Sequence, residues 1–280
     1  MNGAPFDLER TTGTVATGGE HIYYEVVQAD RDAPALVLCH GLGGNHASWW
    51  QQVAALGAEF RVVVWDQRGF GNSTRRSGAY GPRVAVDDLL ALLDHLGLGR
   101  VHLVGQSMGG WVAMGATLRA PARVASLTLT DTIAGVWTSE IEAITAASAS
   151  VVAARFKASA VGRHPALGDR FAVANPELAT LYQLISSMGD KPPDTEVFVM
   201  LAKMRADLDA VGSLELPVHV VVGEHDELCP PDAVRKVAEV IPGAAFTVLP
   251  GSGHSPYFED AAAWNAAVAG FVREHAGTTS

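Results

Sequence analysis

The pentapeptide Gly105-Gln106-Ser107-Met108-Gly109 fits G-x-S-x-G and stands between an apolar run and a helical pattern. In that setting a tight strand-to-helix turn strains the backbone at Ser107, and the small residues two positions to either side avoid a clash between strand and helix. The hydroxyl is thereby presented clear of its neighbours. The first N–H groups of the following helix bring a positive dipole end to where an oxyanion would form. A serine of this kind needs a base, and the base needs an orienter. Gly251-Ser252-Gly253-His254 and Gly223-Glu224-His225-Asp226 each follow an apolar run in the last third of the chain and supply both. The order Ser107, Asp226, His254 differs from the chymotrypsin and subtilisin orders. His40-Gly41-Leu42-Gly43-Gly44 follows an earlier apolar run, and its glycines let backbone amides turn into the site. The Leu42 and Met108 N–H groups are therefore expected to form an oxyanion hole, and His40 reads as a buried brace of that loop.

Positioning these residues requires an α/β architecture. Short β-branched runs at 35–39, 61–65, 101–104, 124–130, 219–222 and 245–249 alternate with helical patterns at 47–57, 83–97, 108–119, 231–240 and 259–274. That alternation builds a mostly parallel sheet with helices on both faces. Segments 12–16 and 21–27, joined across Gly18-Gly19, read as a hairpin, because the turn is too short for a crossover helix. Ser107, Asp226 and His254 then fall on loops at the carboxyl edge of one sheet, where open α/β folds bind ligands. Region 133–213 has helix-like stretches and no convincing strand, and it reads as a helical insertion. Residues 1–132 and 214–280 are expected to form one core domain, with 133–213 inserted after the sixth strand as a lid.

With these motifs in place, the chain resembles the α/β-hydrolase superfamily over nearly its whole length. Asp66-Gln67-Arg68-Gly69-Phe70-Gly71-Asn72-Ser73 resembles that family's D-x-R-G-x-G-x-S stretch and is expected to be structural, with Asp66 and Arg68 fixing a loop. The resemblance implies an eight-stranded sheet, an acid after the seventh strand at Asp226 and a histidine after the eighth at His254. Some members carry the acid after the sixth strand, which makes Asp131 the competing position. Ser107 in place of a nucleophilic carboxylate departs from the epoxide-hydrolase and haloalkane-dehalogenase pattern. His-Gly-Leu-Gly-Gly with Ser-Met-Gly-Gly is similar to 3-oxoadipate enol-lactonases and perhydrolase-like esterases. The implied activity is hydrolysis of a carboxylic ester or lactone through an acyl-enzyme on Ser107. The alternatives are carbon–carbon bond hydrolysis beside a ketone and a low-turnover ligand receptor of the same fold.

Substrate selection is expected from the insertion, with Trp137, Tyr182, Met188 and Phe198 lining a mainly apolar cavity for a small to medium substrate. Arg155, Arg163, Arg170 and Arg205 could each anchor a substrate carboxylate or simply coat an exposed face. No metal or organic cofactor is called for. Cys39 and Cys229 lack the four-ligand spacing of a zinc site and read as two unreactive thiols. The 280 residues carry a formal net charge of −10 with 48% hydrophobic and 18% charged residues, a globular composition that argues against a nucleic-acid binder. Met1–Arg10 shows neither a basic leader nor an apolar run, and no stretch reaches the roughly 18 apolar residues of a membrane span. A cytoplasmic location is the expectation, with a small-molecule substrate as partner and homo-oligomerisation left open.

Overall fold

The apolar runs become eight strands: β1 (Glu9–Thr17), β2 (Glu20–Gln28), β3 (Ala35–Cys39), β4 (Arg61–Trp65), β5 (Val101–Gln106), β6 (Val124–Thr130), β7 (Val218–Gly223) and β8 (Ala245–Leu249). They form one sheet in the order β1-β2-β4-β3-β5-β6-β7-β8. Described by the computed structural model are residues 8–159 and 164–278. Arg163 and residues 1–7, the larger part of the segment read for a leader, lie outside the described residues. β1 and β2 pair antiparallel across Gly18 and Gly19, whose φ values of 55° and 80° are those a two-residue hairpin turn requires. β2 also runs antiparallel to β4, and every later pairing is parallel.

The helices are α1 (Trp50–Leu56), α2 (Pro82–His95), α3 (Met108–Arg119), α4 (Ser139–Ser159), α5 (Asp169–Ala174), α6 (Pro176–Ser186), α7 (Asp194–Lys203), α8 (Leu208–Val211), α9 (Pro231–Val240), α10 (Pro256–Glu259) and α11 (Ala261–His275). Two differ from the periodicity reading. The 47–57 pattern opens with a 3-10 turn, His46–Trp49, capped by Asn45, and the 259–274 pattern breaks at Asp260, whose side chain caps α11 at the Ala263 N–H. Between β6 and β7 the chain contains α4 to α8 and, among the described residues, no strand.

Strand alternation divides the core. Leu36 and Leu38 of β3 pack with Val62 and Val64 of β4 on the face covered by α1 and α11. Val37, Cys39 and Val63 pack on the opposite face with α2, α3 and α9. Burial on both faces explains the near-continuous apolar strands. Among the described residues, no helix is long and apolar enough to cross a membrane.

Candidate active site

The turn after β5 is set by close packing. Ser107 has φ 48° and ψ −119°, a conformation that side chains other than glycine rarely adopt. It is held by a Ser107 N–H bond to the Thr130 carbonyl (3.0 Å) and a Gly110 N–H bond to the Ser107 carbonyl (2.8 Å). Glycine is demanded at both flanks: a Cβ on Gly105 would meet the Gly109 carbonyl oxygen at 2.5 Å, and one on Gly109 would overlap the Cys39 carbonyl oxygen. Met108 is the first residue of α3, so its N–H has no intrahelical acceptor.

His254 and Asp226 meet as their loops leave the sheet edge. His254 Nδ1 lies 2.9 Å from both carboxylate oxygens of Asp226. A carboxylate only accepts, so Nδ1 carries the proton and donates it, leaving Nε2 as the basic nitrogen. Asp226 Oδ1 also accepts the Leu228 and Cys229 N–H groups at 2.9 Å each. The Asp226 carboxylate is wholly buried and the His254 ring nearly so. The His254 carbonyl in turn accepts from Gln106 Nε2 at 2.9 Å. Among the described residues, none closes a hydrogen bond with the Ser107 hydroxyl; Ser107 and His254 share the wall of one cavity of about 720 Å3.

Asp131, the competing acid, sits at φ 53° in the core and faces the β7 edge. Its oxygens accept the Gly223 N–H (2.9 Å) and the Thr130 hydroxyl (2.6 Å) rather than a His254 nitrogen. Burial, aided by the nearby Asp226 charge, pushes its carboxyl well up from the ordinary range. Glu224 accepts the Gly251 N–H and Glu227 pairs with Arg155, so both neighbours of Asp226 are occupied elsewhere.

The His40–Gly44 loop lies against this turn, with Gly41 packed on Gln106 and Ser107. His40 Nε2 accepts the Gln67 N–H at 3.0 Å and Nδ1 donates to the Gly41 carbonyl at 2.8 Å. Burial pushes the imidazole down to about 4, so it braces the loop as a neutral ring. Asp66 accepts from the His46 and Asn72 N–H groups, and Arg68 makes a buried bidentate pair with Asp88 of α2. Both are structural contacts outside the cavity lining.

Helices α4, α6 and α7 close the cavity above Ser107, and Leu42, Trp137, Tyr182 and Phe198 line it. Met188 is a correction: α6 ends at Ser186, the chain turns, and Met188 points away from the cavity at 43% exposure. Of the arginines considered as carboxylate anchors, Arg155, Arg170 and Arg205 also fall outside the lining. Arg155 pairs with Glu227, Arg205 pairs with Glu142 and stacks on Trp137, and Arg170 is exposed.

Glu259 and Gln106 are positioning residues that the sequence reading passed over. Glu259 accepts the Gly253 (2.8 Å), Ser255 (3.2 Å) and Gly168 (3.1 Å) N–H groups, tying the His254 loop to the segment between α4 and α5. Its one sequence signal is a carboxylate five residues after a loop histidine. Asp226, Cys229 and His254 place potential ligand atoms within 4.8 Å of one another, the one such group among the described residues. Burial, with the charges of Asp226 and Asp131, pushes the Cys229 thiol well up, toward the protonated form that does not bind metal. Cys39 is fully buried and free, its thiol pushed up by burial to about 12.

A family model described as the alpha/beta hydrolase fold matches residues 34–261. The chain is 30% identical over 202 residues to 3-oxoadipate enol-lactonase 1 of Acinetobacter baylyi, spanning 71% of this chain and 74% of that protein. Among solved structures it is similar to a thermophilic esterase from Thermogutta terrifontis, with TM-score 0.74, 31% identity and coverage of 95% of this chain and 99% of that one. It is also similar to the enol-lactonase from Burkholderia xenovorans, with TM-score 0.76, 27% identity and coverage of 93% and 100%.

Proposed function

The chain belongs to the α/β hydrolase fold family, and from that premise we propose that it is a serine hydrolase cleaving carboxylic esters or lactones through an acyl-enzyme on Ser107. One observation carries the reading: a serine held at positive φ opens into the same cavity as a histidine whose Nδ1 is committed to a buried carboxylate. In this mechanism His254 Nε2 takes the Ser107 proton as Oγ attacks the carbonyl carbon. Asp226 fixes the tautomer and stabilises the imidazolium. The Leu42 and Met108 N–H groups receive the charge that develops on the carbonyl oxygen. His254 then protonates the leaving alcohol, and water attacks the acyl-enzyme with His254 again as base. The enol-lactonase and esterase names of the relatives support the substrate class.

Helices α4 to α8, within residues 133–213, act in this reading as a lid on a core built from 1–132 and 214–280. The lid's contribution is to exclude water and shape the acyl and leaving-group pockets. A panel of 4-nitrophenyl esters and lactones tests the proposal. Wild-type protein turns over members of the panel, and Ser107→Ala loses about four orders of magnitude or more in kcat while keeping its melting temperature. Retention of turnover in a folded Ser107→Ala variant would remove Ser107 from the mechanism.

A further inference from the structure

Gly43 is the next residue after Leu42, so its Cα lies about 3.8 Å from that of the proposed oxyanion donor. Two nitrogens from the helical segment converge on it. His164 Nε2 and Lys191 Nζ each lie 3.7 Å from where a Gly43 Cβ would stand, and both side chains line the cavity with Ser107. A Cβ at position 43 would stand in ordinary contact with both, and the φ of 78° there favours glycine.

Both nitrogens are donors. His164 Nδ1 accepts the Ala166 N–H at 3.2 Å, so the neutral ring carries its proton on Nε2. Burial, aided by the nearby Lys191 and His254, pushes this imidazole down to about 3, which keeps it neutral at working pH. Lys191 Nζ lies 3.3 Å from Asp194 Oδ1, yet that buried oxygen has no hydrogen-bond partner among the described residues. The pair is an ion contact without an aligned hydrogen bond, so the ammonium N–H groups remain open to the cavity. Among the described lining residues, Lys191 is the one Lys or Arg and Asp194 the one Asp or Glu. Apolar side chains, among them Trp111, Ile133, Trp137 and Leu201, make up much of the remaining lining.

Resting on the hydrolase reading above, we propose that His164 and Lys191 form a subsite for a carboxylate carried on the substrate, a few bonds from the scissile carbonyl. The preferred substrate is then an ester or lactone bearing a free acid, oriented with its acid beside Gly43 and its carbonyl oxygen at Leu42. Asp194 steadies the ammonium and, as the nearest like charge, limits the preference.

Mono-4-nitrophenyl glutarate, adipate and suberate, each compared with its methyl ester, test this. The readout is the ratio of kcat/KM for acid over methyl ester, in which any loss of folded enzyme cancels. The wild type favours the acid at one chain length or more. Lys191→Met lowers that ratio about tenfold. Lys191→Arg keeps most of it, and Asp194→Asn raises it. Added salt erodes the wild-type preference, because the Lys191 side chain is about a third exposed. A wild-type ratio at or below one at every length, or an unchanged ratio in Lys191→Met, overturns the subsite while the hydrolase reading stands. Failure to turn over any of the six substrates by protein that hydrolyses other members of the ester and lactone panel overturns the subsite, and silence across that whole panel as well removes both.

Discussion

Asp226, buried behind the His254 that lines the floor of the cavity, accepts two backbone amides and the imidazole, whereas Ala149 and Ala153 on the roof offer only methyl groups. The floor is over-determined. The strained turn at Ser107, the paired His254 and the braced His40 are each held by two or more hydrogen bonds, in loops that leave the ends of buried strands. The roof is fastened at its rim instead, by Asn45 to the Ile185 carbonyl, by Tyr182 to Ser255 and by Glu259 to Gly168. Chemistry that needs fixed geometry to within a fraction of an ångström sits on the rigid part. In the proposed function, the side chains that select among substrates sit where substitution disturbs little else.

Rigid placement predicts a steep and specific loss on the floor. Asp226→Asn should lower kcat by about four orders of magnitude through the wrong imidazole tautomer. Asp131→Asn, two residues of the same type in the same buried neighbourhood notwithstanding, should cost less than tenfold, because Asp131 makes no contact with the imidazole. Comparable losses in both variants would mean that the two carboxylates share the orienting role. A roof substitution should act differently. Thr145, Ser148, Ala149, Val152, Ala153 and Phe156 form one face of α4 toward the cavity. Ala149→Trp adds bulk to that face, so long-chain esters should lose about tenfold or more in kcat/KM relative to acetate, with the melting temperature nearly unchanged. A uniform loss across chain lengths would show that α4 constrains the floor.

Much of the floor was legible because its signals are local. β3, β4, β6 and β8 carry the bounds read from their apolar runs, and G-x-S-x-G marks a turn whose glycines are demanded by contacts within a few residues. Asp131 and Asp226 remained alternatives in sequence because both follow strands at the same edge; the direction of each carboxylate is a tertiary fact. Glu259 was missed for the same reason, since its Gly168 partner lies 91 residues away. The roof was least legible. Trp137, Tyr182 and Phe198 reach the cavity but Met188 does not, and no periodicity distinguishes a turn residue pointing outward from one pointing in. His164 and Lys191 carry no motif at all.

The smallest expected effect lies far from either region, at the loop that follows β4. Glu20 is buried, and burial opposes its ionisation, but hydrogen bonds from Ser77, Thr74 and the Arg76 N–H outweigh this and hold its carboxyl down at about 2, against an ordinary 4.5. A lowered carboxylate pKa contributes stability that is fully present above 4.5 and is lost as pH falls toward 2. Glu20→Gln should therefore lower the melting temperature at pH 7, with the gap to wild type narrowing between pH 4.5 and 2. A gap independent of pH would assign the loss to packing rather than to charge. Turnover should be unchanged, since Glu20 is outside the cavity.

The central claim, a serine nucleophile activated by His254, is tested most directly by the mass of the protein after treatment with an alkyl fluorophosphonate. The mechanism predicts a single adduct, located on the peptide bearing Ser107, that fails to form in Ser107→Ala and forms far more slowly in His254→Ala. No adduct on the folded wild-type protein, or an adduct at another residue, would contradict it.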